Sequence, residues 1–423
     1  MSEIREDPAA IAKAIDALIG SGRVRTPRGR ETLAARVIAE PRTSAEVSEL
    51  VRMCEADRIA LAAMGAARTL ASIRREPAAL GVAMTTMARV LAYEPDDMTV
   101  SVEAGITLGA LNSRVGERRQ QLALDPPGPD VTTIGAVVAA AQSGPLRLSE
   151  GTPRDLLIGV RFVGHDARLI SSGGRVVKNV AGYDLMKVMT GSFGTLGIIV
   201  EATFKLRPMA EGYTIVMARF TSAAEAFAAA RAALEALTPL HLEVVSPGVA
   251  TMLGYPDSFL VIAGIAGVER EIQWQCERLA ALLGNRVSVV TGFEASGLYA
   301  RIRDLDFAAA AVAAKLSVIP AELGACLERC AVEFCAHAGS GVAEITIERE
   351  MDAGEAAATI ARWRTIAHAA RGNLRIVSAA SALRGAFQMF DDPAPGALAL
   401  MHRLKASFDP AGIFNPRCFV GGI

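Results

Sequence analysis

The residues best suited to holding a ligand fall in four short stretches. Gly191, Gly194 and Gly197 recur at a spacing of three, between a short helix expected over Leu185–Thr190 and an alternating run Ile198–Leu206. Glycine there permits φ > 0 and lets a flat ligand or a phosphate approach the backbone. The same spacing also suits a helix-to-strand turn with no ligand. The glycines precede a strand and do not open a helix, which excludes a dinucleotide fingerprint. No Gly-Lys-Ser/Thr follows, which excludes a Walker loop.

The second stretch is Met64-Gly65-Ala66-Ala67-Arg68-Thr69, at the end of the apolar run Ile59–Met64. Successive backbone N–H groups in such a loop form a concave anion nest. Arg68 adds a cation and Thr69 a hydroxyl, whereas Ala66 and Ala67 tolerate fewer backbone angles than glycine. The third runs from the rigid, proline-set segment Asp125–Asp130, with Pro127, into Thr132-Thr133-Ile134-Gly135 and a small-residue helix containing Val138. Small side chains let that helix lie against another layer or a planar ring, and an Ala-rich core helix would look the same. The fourth is Ser143, Gly144, Arg147, Gly151, Arg154 and Asp155. Its arginines suit bidentate recognition of phosphate or carboxylate, or plain surface ion pairs.

Acid–base and metal chemistry are harder to place. The five histidines, at 165, 241, 337, 368 and 402, show no metal spacing, and His165 falls in a hairpin turn where solvent is the natural partner. The cysteines at 326, 330 and 335 miss the spacing of an iron–sulfur run. They fall in Pro320–Ala336, which reads as an amphipathic helix, so buried thiols in a reducing compartment are expected. No acid–base cluster can be isolated after residue 208. No catalytic residue and no metal ligand is assigned.

The elements that must position these stretches follow from periodicity. Helices are expected over Ile4–Ile19, from a Thr43-x-x-Glu46 capping box through Ala56, and from Thr107 through Val115. Asp184 is expected to cap Leu185–Thr190. Strand signals cover Val82–Leu91, Met98–Glu103 and a hairpin Gly159–Val163 with Arg168–Ser171. In Ile198–Leu206, Val200, Ala202, Phe204 and Leu206 are expected on one buried face. After Pro208, strands and helices interleave through Val377 as an α+β layer with one helix-covered sheet, in two related halves. In the tail, Asp409-Pro410 should stop a helix and Asn415-Pro416 turn the chain back.

With 423 residues, two or three domains fit. A net charge of -1 and the lack of a long basic run argue against nucleic acid. No apolar run approaches the ~18 residues of a membrane span. Met1–Ile15 carries Glu3, Arg5, Glu6 and Asp7, unlike a signal peptide.

The run Gly173-Gly174-Arg175-Val176-Val177-Lys178-Asn179-Val180-Ala181-Gly182-Tyr183-Asp184-Leu185, followed by Thr190–Pro208, resembles the FAD-binding subunit of bacterial glycolate oxidase. More broadly it resembles flavoproteins of the vanillyl-alcohol oxidase / p-cresol methylhydroxylase (PCMH) type. The tail Asp409–Arg417 resembles the ending of 2-hydroxy-acid flavoenzymes, with Arg417 where glycine is usual. The resemblance is strong over Pro41–Pro208. It implies an α+β fold: a two-subdomain PCMH-type FAD-binding domain over 1–208, a cap domain over 209–380, and a tail over 381–423 that returns to the FAD domain.

It further implies that Met64–Thr69 wraps the FAD pyrophosphate and that Pro127, Thr132, Thr133, Ile134, Gly135 and Val138 form a second flavin-binding segment. Ala136 stands where that segment usually has its second glycine. Ser143, Gly144, Arg147, Gly151, Arg154 and Asp155 follow in the family's order, and Gly197 and Ile198 meet the adenine end. No histidine lies in the pyrophosphate loop, so FAD is expected to be non-covalent. The expected function is the FAD subunit of a multi-subunit 2-hydroxy acid oxidase or dehydrogenase. Its expected partners are a paralogous FAD subunit and an iron–sulfur subunit. A cytoplasmic location is expected, with any membrane association through partners. Two other readings stay open: a scaffold of flavin fold without FAD, and a stand-alone alcohol or sugar oxidase.

Overall fold

The computed structural model describes residues 7–174, 183–284, 287–305, 307, 310–347 and 350–423. Arg175–Gly182, within the run that carries the family resemblance, and Met1–Glu6 lie outside them. Two units are formed: residues Met1–Ser143, Thr152–Met209 and Asp392–Ile423 make the first, and Gly144–Gly151 with Ala210–Asp391 the second.

In the first unit, β1 (Val24–Arg25), β2 (Ala35–Ala39), β3 (Leu61–Met64) and β4 (Ala78–Ala83) form one sheet of order β1-β2-β4-β3. β4 runs parallel to both β2 and β3. Parallel strands need crossovers: the helix Ser44–Asp57 leads from β2 to β3, and the short helix Arg68–Ile73 from β3 back to β4 between them. Thr43 caps that helix by accepting from the Glu46 N–H at 3.2 Å, a contact worth about 1 kcal/mol. Val47, Leu50, Val51 and Cys54 form its fully buried face. The helix Pro8–Ile19 begins behind Asp7, which caps it.

A second sheet takes β5 (Val90–Glu94), β6 (Thr99–Glu103), β8 (Leu157–Val163), β9 (Leu169–Gly173) and β10 (Ile198–Lys205) in the order β5-β6-β10-β8-β9. The short strands β7 (Gln120–Gln121) and β11 (Arg207–Pro208) pair separately. Strand propensity over Val82–Leu91 divides between two sheets: β4 ends at Ala83, a 3-10 turn spans Met84–Thr86, and β5 starts at Val90.

The expected single face of β10 is also corrected. Ala202, Phe204 and Leu206 share a core with Phe162, but Val200 packs with Ile198 into the other core of the unit. A register shift against β8 between Ile199 and Glu201 switches the parity of the strand.

The second unit is built on one antiparallel sheet. Its strands are β12 (Gly212–Phe220), β13 (His241–Val245), β14 (Phe259–Gly267), β15 (Val287–Thr291), β16 (Val312–Ser317), β17 (Glu333–His337), β18 (Val342–Ile347) and β19 (Asn373–Ala379). Their order is β15-β12-β14-β13-β17-β18-β16-β19. Each half is a β-α-β-β-α-β unit. Helices Ala223–Ala236 and Glu269–Leu283 serve the first half, and Leu323–Cys330 and Ala353–Ala369 the second. The halves meet through their second strands, β13 and β17, with Val244 opposite Ala336.

The helix expected over Pro320–Ala336 ends early. Ala331 turns left-handed at φ 55° after Cys330, and β17 then carries Cys335 into the sheet. All six cysteines are free thiols. β15 and the helix Gly292–Arg303 had no expected counterpart.

Candidate functional site

In the first unit, β3 delivers Met64 to the edge of its sheet and the chain turns through Gly65–Ala67 into the short helix Arg68–Ile73. Ala67 adopts the left-handed conformation at φ 56°, which is uncommon for a residue with a Cβ. The angle that such a loop needs is therefore reached without glycine. Gly65 is required for a different reason: a Cβ there would lie 2.3 Å from Thr133 Oγ1.

Thr133 in turn caps the helix Ile134–Ala140. That helix is drawn in by backbone bonds from Ile134 N to Ile106 O at 2.9 Å and from Gly135 N to Ala104 O at 2.7 Å. A Cβ on Gly135 would sit 3.0 Å from that of Ala104, tighter than ordinary contact.

Polar side chains tie the loops together. Arg68 Nη1 donates to Pro127 O at 3.2 Å, and Thr132 Oγ1 donates to the same carbonyl at 2.8 Å. Gln142 Nε2 donates to Thr69 Oγ1 at 2.9 Å. The glycine turn docks on the end of the same small-residue helix, through Gly191 N to Val138 O at 3.0 Å and Phe193 N to Ala139 O at 2.8 Å. Gly191, Gly194 and Gly197 all have positive φ, at 81°, 68° and 153°. A Cβ on Gly197 would press on the Val163 carbonyl at 2.8 Å. Two buried polar atoms around this junction, Gln142 Oε1 and Ser192 Oγ, have no hydrogen-bond partner among the described residues. Buried polar atoms left so call for one.

Of the residues singled out from sequence, Met64–Thr69, Pro127, Thr132–Gly135, Val138, Gly197 and Ile198 fall on these interlocked loops. The side chains of Ile134, Val138 and Ile198 are fully buried in the cores, so these side chains position the loops from behind. Ser143 is buried at the end of the same stretch. Gly144, Arg147 and Gly151 belong to the Gly144–Gly151 segment of the second unit, with Arg147 exposed. Arg154 is exposed too. Asp155 caps its own short helix by accepting from Thr152 N and Oγ1 at 2.8 and 2.6 Å.

Gln142, Ser192 and Phe193 were missed as site residues although they lie inside the stretches that drew notice. Asn415 was missed as well: its Nδ2 donates to Phe193 O at 2.7 Å. Only the Asn-Pro turn hinted at it.

The second unit holds an acid–base cluster that its sequence does not betray. Tyr213 Oη lies 2.6 Å from His241 Nε2, His241 Nδ1 2.5 Å from Glu243 Oε2, and His337 Nδ1 3.3 Å from Glu243 Oε1. Glu243 and His241 are completely buried. Burial alone would raise the Glu243 carboxyl, but the charge and hydrogen bond of His241, followed by those of His337, outweigh it and hold the group below its ordinary value. With Glu243 ionised, His241 Nδ1 is placed to donate to it, and the other ring nitrogen, Nε2, shares its hydrogen bond with the Tyr213 hydroxyl. Burial, then the Glu243 charge, push the Tyr213 phenol up, so it stays protonated. Gly264 makes room: a Cβ there would lie 2.0 Å from His241 Nε2. Among the described residues no group of three His, Cys, Asp or Glu side chains is arranged to hold a metal ion. None of the described helices is long and apolar enough to cross a membrane.

Comparison with known proteins agrees with this architecture. Residues 35–173 match the FAD binding domain model, and residues 210–418 match the C-terminal domain of FAD linked oxidases. The chain is 33% identical over 120 residues to glycolate oxidase subunit GlcE of Escherichia coli, covering 28% of this chain and 34% of that one. It is 32% identical over 191 residues to the mitochondrial cytochrome D-lactate dehydrogenase of Arabidopsis thaliana, covering 45% and 33%. In these alignments the chain spans only about a third of its relatives' length. An uncharacterized FAD-linked oxidoreductase of Mycobacterium tuberculosis is 27% identical over 90% of both chains.

Among solved structures, alkyldihydroxyacetonephosphate synthase superposes with a TM-score of 0.75 at 16% identity, over 99% of this chain and 86% of that one. p-Cresol methylhydroxylase gives 0.72 at 13%, over 97% and 96%. At such identities the likeness concerns the fold, which is of the PCMH type with mixed α and β content. The two domain models together account for most of the sequence, and the chain belongs to the FAD-linked oxidoreductases.

Proposed function

We propose that this chain is the FAD-binding subunit of a multi-subunit glycolate, or 2-hydroxy acid, oxidase or dehydrogenase. The observation that carries the cofactor site is the interlocking, inside one unit, of Gly65–Thr69, Thr132–Gly135 and Gly191–Gly197 around two buried polar atoms that lack partners among the described residues. Those atoms, the left-handed Ala67 and the close-approach glycines suit a ligand with phosphate and flat-ring character.

In this reading the backbone of Met64–Thr69 and the Arg68 guanidinium hold the pyrophosphate. Thr132, Thr133, Gly135 and Ser143 face the flavin half, and Gly197 and Ile198 meet the adenine end through their backbones. Arg154 and Asp155 edge the same site. Bound FAD supplies the hydride acceptor; the protein orients it and excludes water.

The attachment is non-covalent, since Met64–Thr69 contains no histidine. Residues 209–380 act as the cap, and 381–423 as the tail of the FAD domain. The 2-hydroxy acid class rests on the likeness to a glycolate oxidase subunit and to D-lactate dehydrogenases. A paralogous FAD subunit and an iron–sulfur subunit take part as partners, and the complex is cytoplasmic.

The test is the visible spectrum of the purified chain, before and after denaturation. A two-banded flavin spectrum with FAD released into the supernatant is expected. Bleaching by glycolate or D-lactate would place substrate oxidation in this chain; bleaching only with partner subunits would place it there. A protein that stays colourless after FAD is added, alone and with partners, would leave a scaffold in place of a flavoprotein.

A further inference from the structure

We infer that the segment Lys405–Phe419 is a latch that sets cofactor retention, with Asn415 and Lys405 as its positioning residues; the inference rests on the FAD site proposed above. Two of the loops in that site sit on different elements, one at the end of β3 and one just before β10. The tail bonds directly to the second of these and, on the first side, to Leu61 and Arg74, which bracket the β3 loop in the chain.

On the first side, Leu61 N donates to Ile413 O and Asn415 N donates to Leu61 O, each at 2.9 Å. The tail is thereby a short parallel neighbour of β3, through Leu61 and Phe414. Arg74, just beyond the helix that Gly65–Ala67 opens, donates from Nη1 to Asn415 Oδ1 at 3.4 Å and to Cys418 Sγ at 3.1 Å. On the other side, Asn415 Nδ2 donates to Phe193 O at 2.7 Å and Lys405 Nζ to Thr195 O at 2.8 Å. These carbonyls flank Gly194, whose own Cβ would lie 2.7 Å from Asn415 Nδ2. The Phe419 ring stacks on Phe193 at 5.4 Å between centroids.

The latch is itself rigid. Lys405 Nζ also donates to Asp409 Oδ2 at 2.5 Å and to Phe414 O at 2.9 Å. Asp409 accepts the backbone N–H groups of Ile413 and Phe414 at 2.9 Å. Asn415 thus spans Arg74 and Phe193 with one buried amide, and holds the glycine turn in register with the β3 loop. A ligand that touches both loops gains affinity from having them pre-positioned. By linkage, that ligand must also stabilise the docked tail.

The test uses the full-length apoprotein of wild type, Asn415→Ala and Asn415→Asp. The aspartate keeps the acceptor for Arg74 and loses the donor to Phe193. Quenching of FAD fluorescence on titration gives the Kd, and thermal melting of the apo forms reports the fold. The expected result is a Kd raised about tenfold or more in both variants, equivalent to ~1.4 kcal/mol, with apo forms that still melt cooperatively, at a temperature lowered by the loss of a buried hydrogen bond.

A second measurement needs no variant: saturating FAD should slow tryptic cleavage after the exposed Arg417 of wild type. Wild-type affinity in both folded variants would overturn the latch. If the variants do not fold, an unchanged cleavage rate at Arg417 would overturn it instead. Failure of wild type to bind FAD is a separate outcome, and removes the cofactor site together with the latch.

Discussion

At the scale of single residues, the chain depends on a few contacts with no slack. Gly65 leaves room for Thr133 and nothing else. Gly65→Ala should therefore force the β3 loop off the cap of helix Ile134–Ala140, at a cost of about 1–3 kcal/mol, typical of overpacking. A lowered urea midpoint with unchanged slope would show it; a wild-type midpoint would mean that the loop shifts freely.

Glu243 has a sign that can be worked out. Its unfolded value is about 4.3 and its folded value is lower. The stabilisation is then present above about pH 4 and is lost as the pH falls through the folded value. Melting temperature measured from pH 6 down to 3 should fall less steeply in Glu243→Gln than in wild type. Equal slopes would show that this carboxylate is not what the acid limb reports.

At the scale of elements, thiol chemistry tests the corrected segment after Pro320. Burial pushes Cys330 up to about 11 and Cys54 up to about 12, and also raises Cys326, Cys335 and Cys418. In the native protein at pH 8, only the half-buried Cys276 should react promptly with a disulfide reagent, and all six should react once unfolded. Rapid titration of Cys326 and Cys330 would contradict their packing.

What was legible at this scale was local chemistry. Caps at Thr43, Thr107, Asp184 and Ser222 fall where the residue types indicate, since a cap is decided within four residues. The stop at Ala331 was not legible, because the left-handed turn there is set by the sheet that receives Phe334 and Cys335, many residues away. The parity switch in β10 was hidden for the same reason: a bulge shows in pairing and not in composition. The four Tyr213–His337 cluster residues are likewise spread over three strands; only His241 and Glu243, two apart on β13, share a face by spacing, and nothing in the sequence brings Tyr213 and His337 to them.

At the scale of the whole molecule, ligand binding and fold stability are linked. FAD at a hundred times its Kd should stabilise the protein by about 2.7 kcal/mol. Hydrogen exchange should slow at 61–74, 127–143, 191–198 and 413–418, in the first unit. Protection confined to other segments would mean that the nucleotide sits elsewhere.

The second unit has a consequence of a different kind. Its two halves share one connectivity and meet at β13 and β17, with Val244 facing Ala336, Glu243 facing His337 and Val245 facing Cys335. This is the geometry of a two-fold homodimer whose subunits have been spliced head to tail, as gene duplication and fusion would leave it. The former symmetry survives in the backbone and is broken in the side chains, where Glu243 now occupies the place that Cys335 holds in the other half. A cut after Asp304, which follows the helix Gly292–Arg303, falls between the halves. Chains ending and starting there should find each other again when co-expressed and restore one unit.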